Sequence, residues 1–143
     1  MNAKEYLSQY LYLKRRQRAL IQELNDKRDR LCFLPGIDYS RDRVQTSPSA
    51  DSQFRAIDEL VDENREAITV IREYERKMSL ISTQIRGMEK DLFFRILYER
   101  YINGKSMKEI SSDMGYSLMY IQNSHGSALR EFAKKYELLS YIE

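Results

Sequence analysis

Residues 104–117 contain four helix-boundary signals, and these restrict the possible folds of this chain more than any other feature. Gly104 and Gly115 can adopt the left-handed backbone conformation without steric strain, so each predicts the end of a helix. Ser106 with Glu109 three residues later matches a capping box, and Ser117 can cap a further helix. These signals predict two helices that are separated by a tight turn.

Each of these two helices has an apolar side in the sequence. The first spans about Met107 to Met114, and its apolar residues recur at helical spacing. The second follows Ser117, and the residues with inward spacing are Leu118, Ile121, Ala128, Leu129 and Phe132. This pattern predicts a helix-turn-helix, in which the second helix enters the major groove of DNA.

The outward face of the second helix supplies candidate DNA contacts. Gln122 and Asn123 are the strongest candidates for reading bases, because a side-chain amide can pair bidentately with adenine. The complete DNA-binding set predicted is Lys105, Lys108, Ser117, Leu118, Met119, Tyr120, Gln122, Asn123, Ser127 and Arg130. For residues 118–120, packing is an equally good explanation as DNA contact, and Lys108 has the alternative of a solvated surface position. For Arg130 the alternative to a DNA contact is an ion pair with Glu131 or Glu99.

His125 and Gly126 are unusual residue types for positions within this helix. A lone histidine has no partners for a catalytic triad or a metal site, so we expect packing or a phosphate contact. Glycine within a helix costs about 1 kcal/mol relative to alanine. Gly126 therefore indicates the close approach of another helix or of the DNA backbone.

Upstream, the sequence predicts a long helical hairpin. Residues 1 to about 33 and 53 to about 89 have apolar residues near heptad spacing, and residues 34–52 predict a polar loop. The first segment has a charge of +4 and the second of −2, which favours antiparallel pairing. Asn64 lies at a seam position, where it either sets register or is a polar edge residue. We expect a dimerisation region at 1–89 and a DNA-binding domain at 90–143.

Gly87 predicts a bend or a break before the DNA-binding domain. After it, a short amphipathic helix containing Leu92, Phe93, Ile96, Leu97 and Tyr101 supplies the first helix of a three-helix unit. At the other end, helical spacing continues through Phe132, Tyr136, Leu139 and Ile142. We expect this tail to pack on the unit or on a partner.

Composition excludes several other classes of function. The single cysteine, Cys32, cannot form an internal disulfide, and no Cys/His cluster surrounds it, so neither a metal site nor a cofactor is predicted. No phosphate-binding glycine loop, zinc-protease motif or nucleophile elbow is present, so we do not expect an enzyme. No apolar run approaches the ~18 residues of a membrane span, and no signal-peptide core is found. We therefore expect a soluble, cytoplasmic protein.

Residues 92–132 resemble region four of bacterial sigma-70 factors. The matching segments are Arg100–Gly104, Ser106–Ser117 and Ala128–Phe132. Over most of its length the chain resembles the ArpU- and RinA-like regulators of phages of Gram-positive bacteria. The match is carried by NAKEYLSQYL, by RYINGKSMKEI, and by the pattern Ser117, Ile121, His125, Gly126, Ala128, Leu129. The resemblance implies an activator of late phage or prophage genes that works in the bacterial host.

The recognition helix departs from that family because it lacks the usual basic residues at its start. Residues 90–143 have a net charge of only +1, so few phosphates would be neutralised and binding by a monomer would be weak. We therefore expect a homodimer on double-stranded DNA, with host RNA polymerase as a further candidate partner and no membrane. The alternatives are a phage packaging protein, such as a small terminase subunit, and a helical protein-interaction module.

Overall fold

The computed structural model describes residues 1–32 and 49–137, and every regular element in those ranges is helical. Five α-helices occur within these described ranges: α1 (Ala3–Cys32), α2 (Ser49–Arg86), α3 (Asp91–Leu97), α4 (Met107–Met114) and α5 (Leu118–Lys135). A π-helical turn, Tyr98–Ile102, continues α3. The all-α expectation is confirmed for the described part of the chain. None of its helices combines the length and the apolar character needed to cross a membrane.

The start of α2 differs from the sequence prediction. Residues 34–48 of the predicted loop lie outside the described residues, but the helix already begins at Ser49. Asp51 and Ser52, which precede the predicted start at residue 53, are therefore within its first turn. The predicted tail helix is described only as far as Glu137, so Leu139 and Ile142 also lie outside the described residues.

The chain packs into two compact units that divide it differently from the predicted domains. One unit combines Met1–Arg15 with the chain from Glu75 onward, and the other is Arg16–Tyr74. The start of α1 and the end of α2 thus pack with the C-terminal helices rather than only with each other. The cause is a shared apolar core, because Leu7 of α1 and Ile81 of α2 are buried in the same cluster as Phe132 of α5.

The core of the first unit draws on nearly every helix in it. Its buried members are Leu7, Ile81, Ile85, Met88, Phe93, Leu97, Tyr101, Ile102, Ala128 and Phe132. Burial of a large apolar side chain contributes about 1.5–3 kcal/mol, so this cluster is the main term that holds the C-terminal helices together. The cluster joins α1, α2, α3, the π-helical turn and α5, whereas α4 contributes no residue to it.

A set of hydrogen bonds around the buried Gln84 also connects the helices of this unit. Gln84 of α2 is only 5% exposed, and its Oε1 accepts a hydrogen bond of 2.6 Å from the Tyr6 hydroxyl. The Tyr136 hydroxyl donates to the backbone carbonyl of Gln84 at 2.8 Å. Gly87, where α2 has ended as predicted, lets Tyr136 approach, since a Cβ there would collide with the tyrosine oxygen. The Lys135 ammonium also donates to the Gly87 carbonyl.

The second unit, Arg16–Tyr74, has a more exposed character. Lys27 of α1 pairs with Glu63 of α2 at 3.0 Å and with Glu23 at 3.5 Å. Asn64 has its Oδ1 buried without a hydrogen-bond partner among the described residues. Val61 and Ile68, seven residues apart on α2, are both exposed.

Candidate nucleic-acid interface

The ends of α4 and α5 are fixed by the caps that the sequence predicts. The Ser106 hydroxyl accepts from the Glu109 amide at 3.2 Å, and the Glu109 carboxylate accepts from the Ser106 amide at 3.4 Å, so the capping box is confirmed. At the start of α5, the Ser117 hydroxyl accepts from the Tyr120 amide at 3.2 Å. The predicted DNA contact at Ser117 therefore competes with a capping role for the same hydroxyl.

Both predicted helix-ending glycines adopt positive φ angles. Gly104 has φ of 72° and Gly115 has φ of 73°, a region that other residues rarely adopt. Gly115 caps α4 in the left-handed conformation, and its amide donates to the Ser111 carbonyl at 3.0 Å. Only three residues, Gly115, Tyr116 and Ser117, lie between the two helices.

A small apolar cluster fixes α4 and α5 against α3. Ile96, Ile110 and Ile121 come from these three helices and are fully buried. Leu92, Met107 and Met114 pack around them. Each of the three helices contributes one isoleucine to this cluster, so the cluster fixes the orientation of α5 against α3 and α4.

The exposed side of α5 carries the candidate base-reading residues. Met119 is 71% exposed, and Gln122 and Asn123 are also exposed. Within the described residues neither amide side chain has a hydrogen-bond partner. Leu118 is 36% exposed, contrary to the inward position that its spacing indicates, whereas Ile121 three residues later is fully buried. The packed side of α5 therefore begins at Ile121.

Lys105 is engaged within the protein. Its ammonium lies 2.8 Å from the Glu99 carboxylate and 2.9 Å from the Asp113 carboxylate. The hydrogen bonds to these two groups, that of Glu99 first, raise the pKa of Lys105, and the same contact lowers the pKa of Glu99. Arg100 donates to the Lys105 carbonyl at 3.0 Å. The ion pairs of Lys105 with Glu99 and Asp113 link the π-helical turn to α4, and the charges of these three residues sum to −1.

The other predicted polar contacts lie in two places. Lys108 is exposed on α4 and makes no ion pair with any described residue. Arg130 lies in the second half of α5, where its guanidinium donates to the Ser127 hydroxyl at 3.1 Å. This contact replaces the pairing with Glu131 or Glu99 that the sequence left open.

His125 packs inside the unit. Its Nε2 lies 2.8 Å from the Tyr101 hydroxyl, and the two rings stack with centroids 5.7 Å apart. Burial first, and then the charges of Arg100 and Lys4, lower the pKa of His125 to about 4. Burial raises the pKa of Tyr101 to about 12, so the phenol retains its proton and can donate it to the ring nitrogen. At neutral pH the histidine is uncharged, which favours packing over a phosphate contact.

Tyr116 is a candidate that the sequence prediction omitted. It is exposed in the turn, and its ring lies beside the exposed ring of Tyr120 with centroids 4.9 Å apart. The spacing of four residues was visible in the sequence, but position 116 precedes the helix and gave no periodicity signal. Two phenol groups therefore flank the start of α5.

Neither a family model, a curated protein nor a solved structure matches this chain. Among residues 1–32 and 49–137, no group of three or more His, Cys, Asp or Glu side chains could hold a metal ion.

Proposed function

We propose that the chain is a sequence-directed DNA-binding protein in which α4 and α5 act as a helix-turn-helix. The observation that carries this proposal is the exposed start of α5. Met119, Gln122 and Asn123 project from a helix that is capped at Ser117 and packed on buried isoleucines. A rigid helix with unengaged amides on its outer face is suited to the major groove, where base edges present hydrogen-bond donors and acceptors.

Charge limits how tightly one copy can bind. Lys108 and Arg130 are the phosphate-contacting candidates that remain on α4 and α5, because Lys105 is held by two carboxylates. Few neutralised phosphates mean a modest affinity and a shallow dependence on salt. The proposal therefore includes a second copy of the chain, since two linked sites bind with a higher effective concentration.

The long helices are the proposed dimerisation region. Val61 and Ile68 are exposed and lie seven residues apart, which places them on one side of α2. Exposed apolar residues at heptad spacing favour packing against another helix. We infer that the Arg16–Tyr74 unit pairs two copies as a coiled-coil-like hairpin.

The resemblance to phage regulators extends the proposal to transcription. A protein of that kind would regulate late phage or prophage genes in the cytoplasm of a bacterial host, with RNA polymerase as a further partner. The sigma-like segments Arg100–Gly104 and Ser106–Ser117 support it, because their glycines and caps have the local geometry that the motif requires.

The test is binding of the full chain to the DNA upstream of operons in its source genome, measured by fluorescence anisotropy and footprinting. We expect a specific footprint that is lost when Gln122→Ala and Asn123→Ala are combined. Asn25→Ala, an exposed asparagine in α1, is the matched control and should leave the footprint intact. An unchanged footprint in the double variant would overturn the assigned readers.

A protein-interaction module is the second candidate, and the exposed apolar residues at the start of α5 favour it. Leu118, Met119 and Tyr120 together form a surface that another protein could cover. Binding to a protein partner that is independent of salt, without any shift of DNA, would support this candidate.

The mass of the protein in solution tests the packaging alternative, because a ring of many subunits favours packaging and a dimer favours the regulator.

A further inference from the structure

The start of α5 presents a narrow set of chemical groups. Leu118 and Met119 offer exposed apolar ends, and Gln122 and Asn123 offer exposed amides that no described residue engages. These four residues lie within the first two turns of the helix. In a helix-turn-helix, those turns are the part nearest to the bases.

Charged side chains are absent from this part of the helix. Between Leu118 and Leu129 the sequence contains no lysine, arginine, aspartate or glutamate. The first basic residue is Arg130, roughly 16 Å along the helix axis from Met119 at about 1.5 Å per residue. Its guanidinium is also hydrogen-bonded to Ser127. The major-groove readers of guanine are arginine and lysine, and neither is available where the bases would lie.

The groups that are present match the other base pair. An asparagine or glutamine amide can accept from adenine N6 and donate to adenine N7 at the same time. An apolar side chain gains contact area against the C5-methyl group of thymine, which cytosine lacks. Adenine and thymine are partners in one pair, so amides and apolar ends that lie side by side can read both of its edges.

We propose that α5 selects A·T base pairs, with Asn123 and Gln122 reading adenine and Met119 and Leu118 contacting thymine methyl groups. This inference rests on the proposed function and specifies its ligand: a half-site whose central base pairs are A·T-rich. Discrimination comes from base edges rather than from charge. Selectivity for the core should therefore persist as rising salt weakens overall binding.

The first experiment is selection of DNA sites from a random library by the full chain. An A·T-rich core supports the inference. A reproducible G·C-rich core overturns the inference while the proposed function stands. Failure to enrich any sequence contradicts the proposed function itself, so the two failures are distinguishable.

The second experiment removes single groups from the selected site. Replacing a core thymine by deoxyuridine deletes only the methyl group, and we expect roughly three- to fivefold weaker binding. Replacing a core adenine by 7-deazaadenine deletes N7, and we expect a loss of about tenfold. Insensitivity to both replacements would overturn the inference even if the core is A·T-rich, because shape would then account for the selection.

Protein variants connect each loss to a side chain. At the base that each residue contacts, Met119→Ala should abolish the deoxyuridine effect and Asn123→Ala the 7-deazaadenine effect, since the same contact cannot be lost twice. Bases contacted by Leu118 or Gln122 should keep their sensitivity. Met119 and Asn123 are both exposed, so folding is not at risk, and Asn25→Ala serves as the matched control. If each variant retains the full sensitivity of the parent chain, the assignment of readers is wrong.

Discussion

At the scale of single residues, His125 makes the stability of the fold depend on pH. Its pKa lies near 4 in the folded chain and near 6.5 when exposed, so between these values only the unfolded chain takes up the proton. Stability from this residue is complete above pH 6.5 and falls as the pH is lowered towards 4. Allowing for partial exposure, we expect a loss of roughly 1–2 kcal/mol. Because a change of pH acts on the whole chain, the comparison needs a variant that lacks the histidine.

His125→Gln is that variant, because its amide can still accept from the Tyr101 hydroxyl. Denaturant unfolding at pH 7 and pH 4.5 should show wild type losing about 1–2 kcal/mol more than the variant. Parallel losses in the two proteins would mean that the histidine does not carry the effect.

Gly126 remains unexplained by packing within the described residues. A Cβ at this position would meet only the Arg130 side chain, 3.9 Å away, so no helix of the described chain requires the glycine. Gly126→Ala should therefore stabilise the chain by about 1 kcal/mol in thermal or denaturant unfolding. If the DNA backbone approaches this position, the same variant should bind DNA more weakly. Stabilisation together with unchanged affinity would contradict the backbone contact.

At the scale of helices, the Ser117 hydroxyl caps α5 and is also a proposed DNA contact, and one substitution cannot separate the two. Ser117→Ala removes the cap, so it should cost about 1 kcal/mol of stability and weaken DNA binding by fraying the first turn. Ser117→Asn restores a cap without adding charge, and we expect it to recover both stability and binding. Recovery of stability without recovery of binding would assign the serine hydroxyl to DNA directly. Unfolding curves and anisotropy titrations measure the two quantities.

Periodicity predicted that the long helices exist, and local signals predicted helix ends to the residue. Glycine conformations and serine caps act within a few residues, and therefore the bounds of α4 and the start of α5 follow from residues 104–117 alone. The π-helical turn at Tyr98–Ile102 has no comparable local signal. The exposure of Leu118 also escaped the spacing argument, because periodicity cannot tell at which residue the packed side of a helix begins.

Sequence periodicity did not predict which residues belong to which compact unit, and the reason is different. A continuous heptad-like pattern in α1 does not reveal that Leu7 packs with Phe132 while later positions belong to another unit. Gln84 shows the same limit. Its burial depends on tyrosines 78 and 52 residues away along the chain. At the proposed interface, residue type indicated the readers Gln122 and Asn123, but only the fold revealed that Lys105 is already paired.

At the scale of the whole molecule, the proposal makes dimerisation part of DNA binding, and Leu24 provides a test. Leu24 lies partly buried in the Arg16–Tyr74 unit, far in sequence from α5. Leu24→Asp places a charge against apolar neighbours, so we expect monomers and DNA binding at least tenfold weaker through the loss of effective concentration. Asn25→Asp adds the same charge at an exposed position and is the matched control.

Three measurements on these two variants decide the question. Circular dichroism establishes that Leu24→Asp remains helical, sedimentation gives the mass, and anisotropy gives the affinity for a two-half-site DNA and for a single half-site. The coupling requires a selective loss on the two-half-site DNA, because a monomer retains its own contacts through α5. A folded, monomeric variant that binds both DNAs as tightly as the control would show that each copy binds alone, and the long helices would then need another function.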